Sequence, residues 1–342
     1  MASIGYWAAH EQYSMHQLLK FVIEAEKGGF TTTMTSDHFH PWWHDNAYGN
    51  FTWIWIAAAA EHTKRMQFVT GVTAPVYRYH PAIIAQAFAS LDVLYPGRVQ
   101  LGLGSGEAMN ESPLGFDWPR ARSRLTRVRE AIQIIRELWD GKNDGFVNYN
   151  GEYFLIRNAK LYTPPVKPIP IYMAATGQQA AKVAAKYSDG LISYLRPVEA
   201  GNVIRLFDST AEKEGRNQNS LEKIAEYKVS FADDYDQAFK STAFWRATLI
   251  KNVFDSDTSD PRKLQRKAEK EVPDEKLKQA IQITTSIEDC IKSLEEYFKA
   301  GFTRVYVHST SPDEIKFVQV FSKKVLPYFN IETRDGKSAS SA

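Results

Sequence analysis

The chain has 342 residues, 44% apolar and 13% aromatic with 24% charged, enough to bury a sizeable core and outside the composition of disordered chains. Lys plus Arg number 42 against Asp plus Glu 40, a formal charge of +2 with no long single-sign block, which argues against a nucleic-acid partner; no apolar run approaches the ~20 residues that cross a bilayer. The one cysteine, Cys290, cannot form an internal disulfide, and residues 1–9 have neither a basic start nor a cleavable apolar run, so a reducing cytoplasm is the expected location.

Along the chain, short β-branched or apolar runs alternate with longer amphipathic ones, the pattern of βαβ units around a parallel sheet. Strands are predicted at SIGYWAA from Ser3, FTTTMTS from Phe30, QFVTGVT from Gln67, RVQLGLG from Arg98, IPIYMAA from Ile169, DGLISYL from Asp189, IAEYKVSF from Ile224 and TRVYVHS from Thr303. Between the first two, Met15 to Lys27 reads as a helix with Leu18, Leu19, Val22, Ile23 and Glu26 on one stripe and a stop at Gly28-Gly29. Pro81 opens another helix, and Pro119 stands near the start of a third. Eight strand-helix repeats favour an α/β fold of the (β/α)8 TIM-barrel type over an open doubly wound sheet.

Two insertions interrupt the repeat, a hairpin at about 145–157 around Asn150-Gly151 and a charged helical stretch at about 234–282 before the last helix-strand pair. No Pro/Gly/Ser linker isolates either, so residues 1–335 are expected to form a single domain, with 336–342, GKSASSA, as a disordered tail.

Active-site residues of such a barrel sit at the carboxyl ends of its strands. The stretch SDHFHPWWH, Ser36 to His44, follows the second strand and concentrates histidine and tryptophan there. Glu11 follows the first strand, Glu107 and Asn110 the run LGLGSGE, and Thr176-Gly177 the strand from Ile169. Alternate histidines in DHFH, with His10 and His308 near other strand ends, admit a metal-dependent hydrolase, but the ends GSGE, AATG and SYLR offer no imidazoles. A loop whose aromatic residues only pack is the bland alternative.

LGLGSGE departs from a dinucleotide fingerprint, because an acid stands where the last glycine belongs and would repel a pyrophosphate. Its glycines suit the close approach of a flat ring, or they only relieve crowding. AATGQQAAK precedes a helix and is a candidate phosphate site, with an ordinary N-cap as the alternative. No Ser/His/Asp set or reactive cysteine motif stands out.

Taken together, SDHFHPWWHDNA, VTGVTAPVYRYHPA and AIIAQAFASLDVLYPGRVQLGLGSGEAMNE closely resemble the coenzyme F420-dependent branch of the bacterial luciferase-like family, from about Ile4 to Phe329. Both its alcohol-oxidising and its glucose-6-phosphate-oxidising members share these runs. The resemblance implies a TIM barrel, a homodimer, coenzyme F420 as cofactor and a small-molecule alcohol or sugar as substrate. It implies that Asp37 contacts the deazaflavin, that His38 is the imidazole beside the substrate oxygen, that Trp42 holds or packs against that oxygen, and that Glu107 is the acid/base near the ring. It places a non-proline cis peptide at Gly71-Val72, ring or ribityl contacts at Thr73, Ala74, Ser105 and Asn110, phosphate contacts at Thr176, Gly177 and Gln179, and a further pocket acid at Glu11.

Elementary chemistry agrees. Oxidising a secondary alcohol removes a hydride while the hydroxyl proton leaves, which needs a base within hydrogen-bond reach. Imidazole suits that task near neutral pH. Where glucose-6-phosphate enzymes of the branch carry basic residues, this chain has Pro197, Asp255 and Ala280, with Arg196 and Lys251 nearby as substitutes, while Tyr194, Leu195 and Phe254 suggest a more apolar substrate end. The expectation is therefore F420-dependent oxidation of a secondary alcohol or an unphosphorylated sugar or polyol, with Glu11, Trp42, Tyr194, Arg196 and Phe254 at the substrate and no metal. Dehydrogenation of a sugar phosphate, a metal-dependent hydrolase and a barrel that binds a deazaflavin or flavin without turnover are the alternatives.

Overall fold

The computed structural model describes residues 2–254 and 259–329, so the expected tail and Asp255 lie outside the described residues. Its strands are β1 (Ser3–Ala8), β2 (Thr32–Thr35), β3 (Gln67–Thr70), β4 (Val99–Leu103), β5 (Val147–Asn150), β6 (Leu155–Ala159), β7 (Ile171–Ala174), β8 (Gly190–Ser193), β9 (Glu222–Phe231), β10 (Gln282–Thr284) and β11 (Arg304–Ser309). Eight of them close a parallel barrel in the order β1-β2-β3-β4-β7-β8-β9-β11, with Ser3 registered against Arg304 at the closure. All eight predicted strands are in that barrel. Most read as β-branched or apolar runs because one face packs inside the barrel and the other against helices.

The first helix, Met15–Lys27, starts in a capping box in which Ser14 and Gln17 satisfy each other's backbone, and stops at Gly28. Its buried face is Leu18, Phe21, Val22 and Ala25. Glu26, assigned to the apolar stripe from sequence, instead accepts the backbone N–H groups of Arg65 and Met66 at 2.7 Å. Pro81 does open its helix, Pro81–Leu94. Pro119 lies outside the next one, Ala121–Asp140, whose N-cap is Arg120.

The hairpin forms, but not with a two-residue turn. Residues 151–154 connect β5 to β6, and the buried Glu130 carboxylate collects the N–H groups of Glu152, Tyr153 and Phe154 at 2.8, 3.0 and 3.2 Å. A carboxylate from a distant helix overrides the local Asn-Gly preference.

The helical insertion, Tyr235–Ser241, Thr242–Leu249, Pro261–Glu271 and Asp274–Ala280, ends in β10, which pairs with the carboxyl end of β9. Its Trp245, Ile250, Val253, Leu264, Val272 and Leu277 share one buried cluster with Trp7, Met34, Trp42, Val69, Met109 and Tyr306 of the barrel. The insertion therefore packs into the barrel's own core. At the amino end the barrel is plugged by Arg304, which donates to Gln100 Oε1 at 2.9 Å and to Glu222 Oε1 at 2.8 Å, while Tyr172 donates to the same Glu222 oxygen at 2.9 Å. No helix among the described residues is long and apolar enough to cross a membrane.

Candidate active site

The carboxyl ends of the strands carry the polar residues named from sequence. β1 runs into His10 and Glu11, and β2 into Ser36, Asp37 and His38. Ser36 Oγ donates to Glu11 Oε2 at 2.5 Å and accepts the His10 N–H at 3.0 Å, which locks the first two loops together. Glu11 Oε1 then stands 3.3 Å from His38 Nε2, and Glu107 Oε2 3.5 Å from His38 Nδ1. The imidazole is held between two carboxyl groups.

Asn110 braces this arrangement from the short helix after β4. Its Nδ2 reaches Glu107 Oε2 at 3.3 Å and His38 Nδ1 at 3.4 Å, while its Oδ1 accepts the Phe39 N–H at 2.7 Å. Burial pushes the Glu107 carboxyl above its ordinary range, against the pull of His38. Trp42, 4% exposed, places its ring 5.9 Å from that of His38 and takes the edge of Phe254 at 5.7 Å.

Asp37 faces protein. Its Oδ2 accepts from Thr73 Oγ1 at 2.6 Å, and its Oδ1 accepts from Arg78 and from the Tyr79 hydroxyl. Its carboxylate fixes the end of β3, where the Gly71–Val72 peptide is cis, as expected from sequence. Thr73 continues from there, bridging to Leu103 of β4. The β4 glycines serve packing: a Cβ on Gly102 would lie 1.8 Å from the Thr70 carbonyl oxygen, and one on Gly104 would lie 2.3 Å from Val72 Cγ2. Of the two readings of those glycines, relief of crowding is the one the geometry supports. Ser105 follows, and Gly106 takes a positive φ of 73°, where an added Cβ would lie 3.2 Å from Ala74 Cβ.

Thr176, Gly177 and Gln179 are exposed, and Gly177 is the N-cap of Gln178–Tyr187 with no side chain bonded to the free N–H groups. Nothing would touch a Cβ at Gly177. An open helix start of this kind admits an anion, while Gly177 also meets the ordinary N-cap alternative. These features fit a flat ring with a phosphate-bearing tail: polar groups at His38 and Glu107, and an exposed helix N-terminus.

Tyr194 is 37% exposed, and its hydroxyl is held well above its usual range by burial and by the Glu226, Glu107 and Glu11 carboxylates, which places it by the same cluster. Arg196 is engaged elsewhere, donating to Gln279 O and Glu199 Oε1, both at 2.9 Å. His38 and His40 part company, since His40 Nδ1 meets Ser259 O at 2.9 Å. Among the described residues no three His, Cys, Asp or Glu side chains are grouped to hold a metal ion.

Sequence reasoning missed Arg78, and also Glu226, Lys228 and the pairing of His308, which bond to one another inside the barrel. The alternation Glu226-x-Lys228 in a strand of a closed barrel was the available signal, because residues two apart share a face.

His10 lies behind Glu11, 1% exposed, with neither ring nitrogen hydrogen-bonded among the described residues. Burial, reinforced by His38, lowers its pKa from 6.5 to about 3. It is neutral when folded, whereas the unfolded chain takes up its proton below about 6.5. Its contribution to stability is therefore complete above that pH and is lost as pH falls towards 3. In urea titrations, the unfolding free energy of wild type minus that of His10→Asn should fall by about 1.4 kcal/mol per pH unit from about pH 6 to about pH 5. A difference independent of pH would mean the imidazole is not held neutral.

Comparison with known proteins agrees with the architecture. Residues 2–304 match the luciferase-like monooxygenase family. The chain is 35% identical over 326 residues to an F420-dependent glucose-6-phosphate dehydrogenase of Microbacterium testaceum, covering 94% of this chain and 96% of that protein. It is 34% identical over 331 residues to the protein of the same name in Nakamurella multipartita, covering 94% and 95%. Among solved structures, an F420-dependent secondary alcohol dehydrogenase in complex with an F420-acetone adduct superposes with a TM-score of 0.91 at 36% identity, over 95% of this chain and 98% of that one.

Proposed function

Because the chain belongs to the luciferase-like monooxygenase family, we propose that it is a coenzyme F420-dependent dehydrogenase that oxidises the CH–OH group of a small neutral alcohol or unphosphorylated polyol. The observation that carries this reading is the His38 imidazole set between Glu11 and Glu107 at the carboxyl ends of the barrel strands.

Bound coenzyme F420 supplies a two-electron acceptor for the hydride that leaves the carbinol carbon. His38 takes the hydroxyl proton, and Glu11 on its other side, 1% exposed, steadies the imidazolium that results. Its carboxylate is oriented by Ser36. Glu107, its carboxyl pushed up by burial and braced by Asn110, is the acid/base of the site near the ring. Asn110 fixes both side chains and the Phe39 backbone, so the constellation is set before substrate arrives. Trp42, buried beside His38, supplies an apolar wall to the site, and Phe254 meets it edge to face. Thr176, Gly177 and Gln179 hold the cofactor's phosphate at the helix start.

A sugar phosphate is the second reading, favoured by the names of the relatives in Microbacterium and Nakamurella. Against it, Arg196 already serves Glu199 and Gln279, and Ala280 packs against the apolar cluster. A dianion needs fixed cationic donors.

The test is to add F420 to the purified chain, follow tryptophan quenching, and then follow bleaching of the oxidised cofactor with isopropanol, glucose and glucose 6-phosphate. Quenching followed by bleaching with a neutral substrate is expected. Bleaching by glucose 6-phosphate alone would transfer the proposal to the second reading. Quenching without bleaching by any alcohol would make the barrel a binder, and bound zinc without quenching would revive the hydrolase.

A further inference from the structure

One buried polar cluster takes no part in the steps above. Glu226 and Lys228 alternate along β9, and His308 of β11 registers beside Lys228. His308 Nδ1 lies 2.5 Å from Glu226 Oε1, and Lys228 Nζ lies 3.6 Å from the same oxygen. Burial opposes ionisation of Glu226, yet Lys228 and His308 together draw its pKa down to about 2. A carboxylate only accepts, so Nδ1 carries the imidazole proton and Nε2 presents a lone pair.

The ring is clamped. Trp7 stacks on it at 5.1 Å and 4°, and Trp245 meets it edge-on at 4.4 Å. Trp245 is itself held by Gln12 Oε1, which accepts its indole N–H at 3.1 Å. His308 is 1% exposed, and its Nε2 has no hydrogen-bond partner among the described residues. An unmatched buried acceptor costs ~1–3 kcal/mol. A fixed, buried acceptor without a partner at a strand's carboxyl end points to a donor that arrives with a ligand. Glu11, which contacts His38, also acts electrostatically on His308, so the two imidazoles share one carboxylate neighbour. The Tyr194 ring meets Trp7, the residue stacked on His308, at 6.3 Å.

We propose that His308 is a specificity-determining residue whose Nε2 accepts a hydrogen bond from a second hydroxyl of the substrate, so that neutral diols and polyols are preferred over mono-alcohols. The proposal rests on the dehydrogenase reading above. The Glu226 carboxylate bonded to His308 and the nearby Glu11 carboxylate disfavour an anion there, Lys228 being paired with Glu226 already.

2,3-Butanediol and 2-butanol share the reacting carbinol and differ by one hydroxyl. With F420 bound, kcat/KM for the diol should exceed that for 2-butanol by about tenfold or more, chiefly through KM. In His308→Gln the ratio should fall to near one. Equal kcat/KM values in wild type, or an undiminished ratio in the variant, would overturn the proposal. A second readout needs neither turnover nor the variant: in histidine-labelled wild-type protein, the His308 Nε2 nitrogen resonance should shift on titration with the diol and stay in place with 2-butanol. Identical responses to both would overturn the inference by themselves. If no alcohol bleaches F420, the dehydrogenase reading falls, and this resonance alone then decides for or against a hydroxyl site at His308.

Discussion

Replacing His38 by alanine is expected to slow oxidation of a secondary alcohol by roughly 10²- to 10⁴-fold, the range a positioned general base contributes. The imidazole is the group set between Glu11 at 3.3 Å and Glu107 at 3.5 Å, contacts loose enough for a substrate hydroxyl to displace one of them. Without it the hydroxyl proton loses the imidazole placed to receive it. Affinity for F420, read by tryptophan quenching, should change by less than about threefold, since general-base catalysis acts on the barrier and not on ground-state binding. Added imidazole should restore part of the lost rate. A variant that keeps its wild-type rate would remove His38 from the mechanism. Loss of rate together with F420 binding would reassign it to holding the cofactor.

The second large effect concerns stability. Arg78→Ala should destabilise the fold by about 3–5 kcal/mol in urea unfolding, the cost of leaving one member of a buried ion pair unpartnered. Arg78 bonds both the carboxylate and the carbonyl of Asp37, lays its guanidinium 4.4 Å from the Tyr79 ring centre, and offers its backbone N–H to Glu111 at 2.8 Å. The Asp37 side chain is 2% exposed. Pairing Arg78→Met with Asp37→Asn removes both charges and should recover more than half of the loss. If Arg78→Ala costs less than about 1 kcal/mol, on the scale of an exposed pair, the ion pair does not organise this part of the barrel.

Much of the fold could be read from the residues because most barrel strands are buried on both sides and so appear as β-branched or apolar runs. The cluster of His38, Glu107 and Asn110 was legible for a related reason: residues just past a strand end share one face of a barrel whatever their separation in sequence. The same logic hid Glu226 and its pairing with His308. They lie within strands, where neighbouring apolar residues make the segment read as core, and their pairing joins positions 82 apart. Arg78 was obscure because its partner lies 41 positions away. The Asn150-Gly151 signal gave the hairpin but not the length of its connection, because Glu130 supplies hydrogen bonds that local sequence does not reveal. Arg196 shows the converse error, a cation judged by its place in the chain although its donors were already claimed.

The helical insertion shares its buried side chains with the barrel's interior, Trp245 and Leu264 among the same neighbours as Trp42 and Met109. Transplanting that segment from a relative to change substrate range would therefore disturb the scaffold as well as the pocket. Chimaeras should succeed only when the facing tryptophan and methionine positions travel with the graft, so in this chain selectivity and folding would have to evolve as a coupled set of changes.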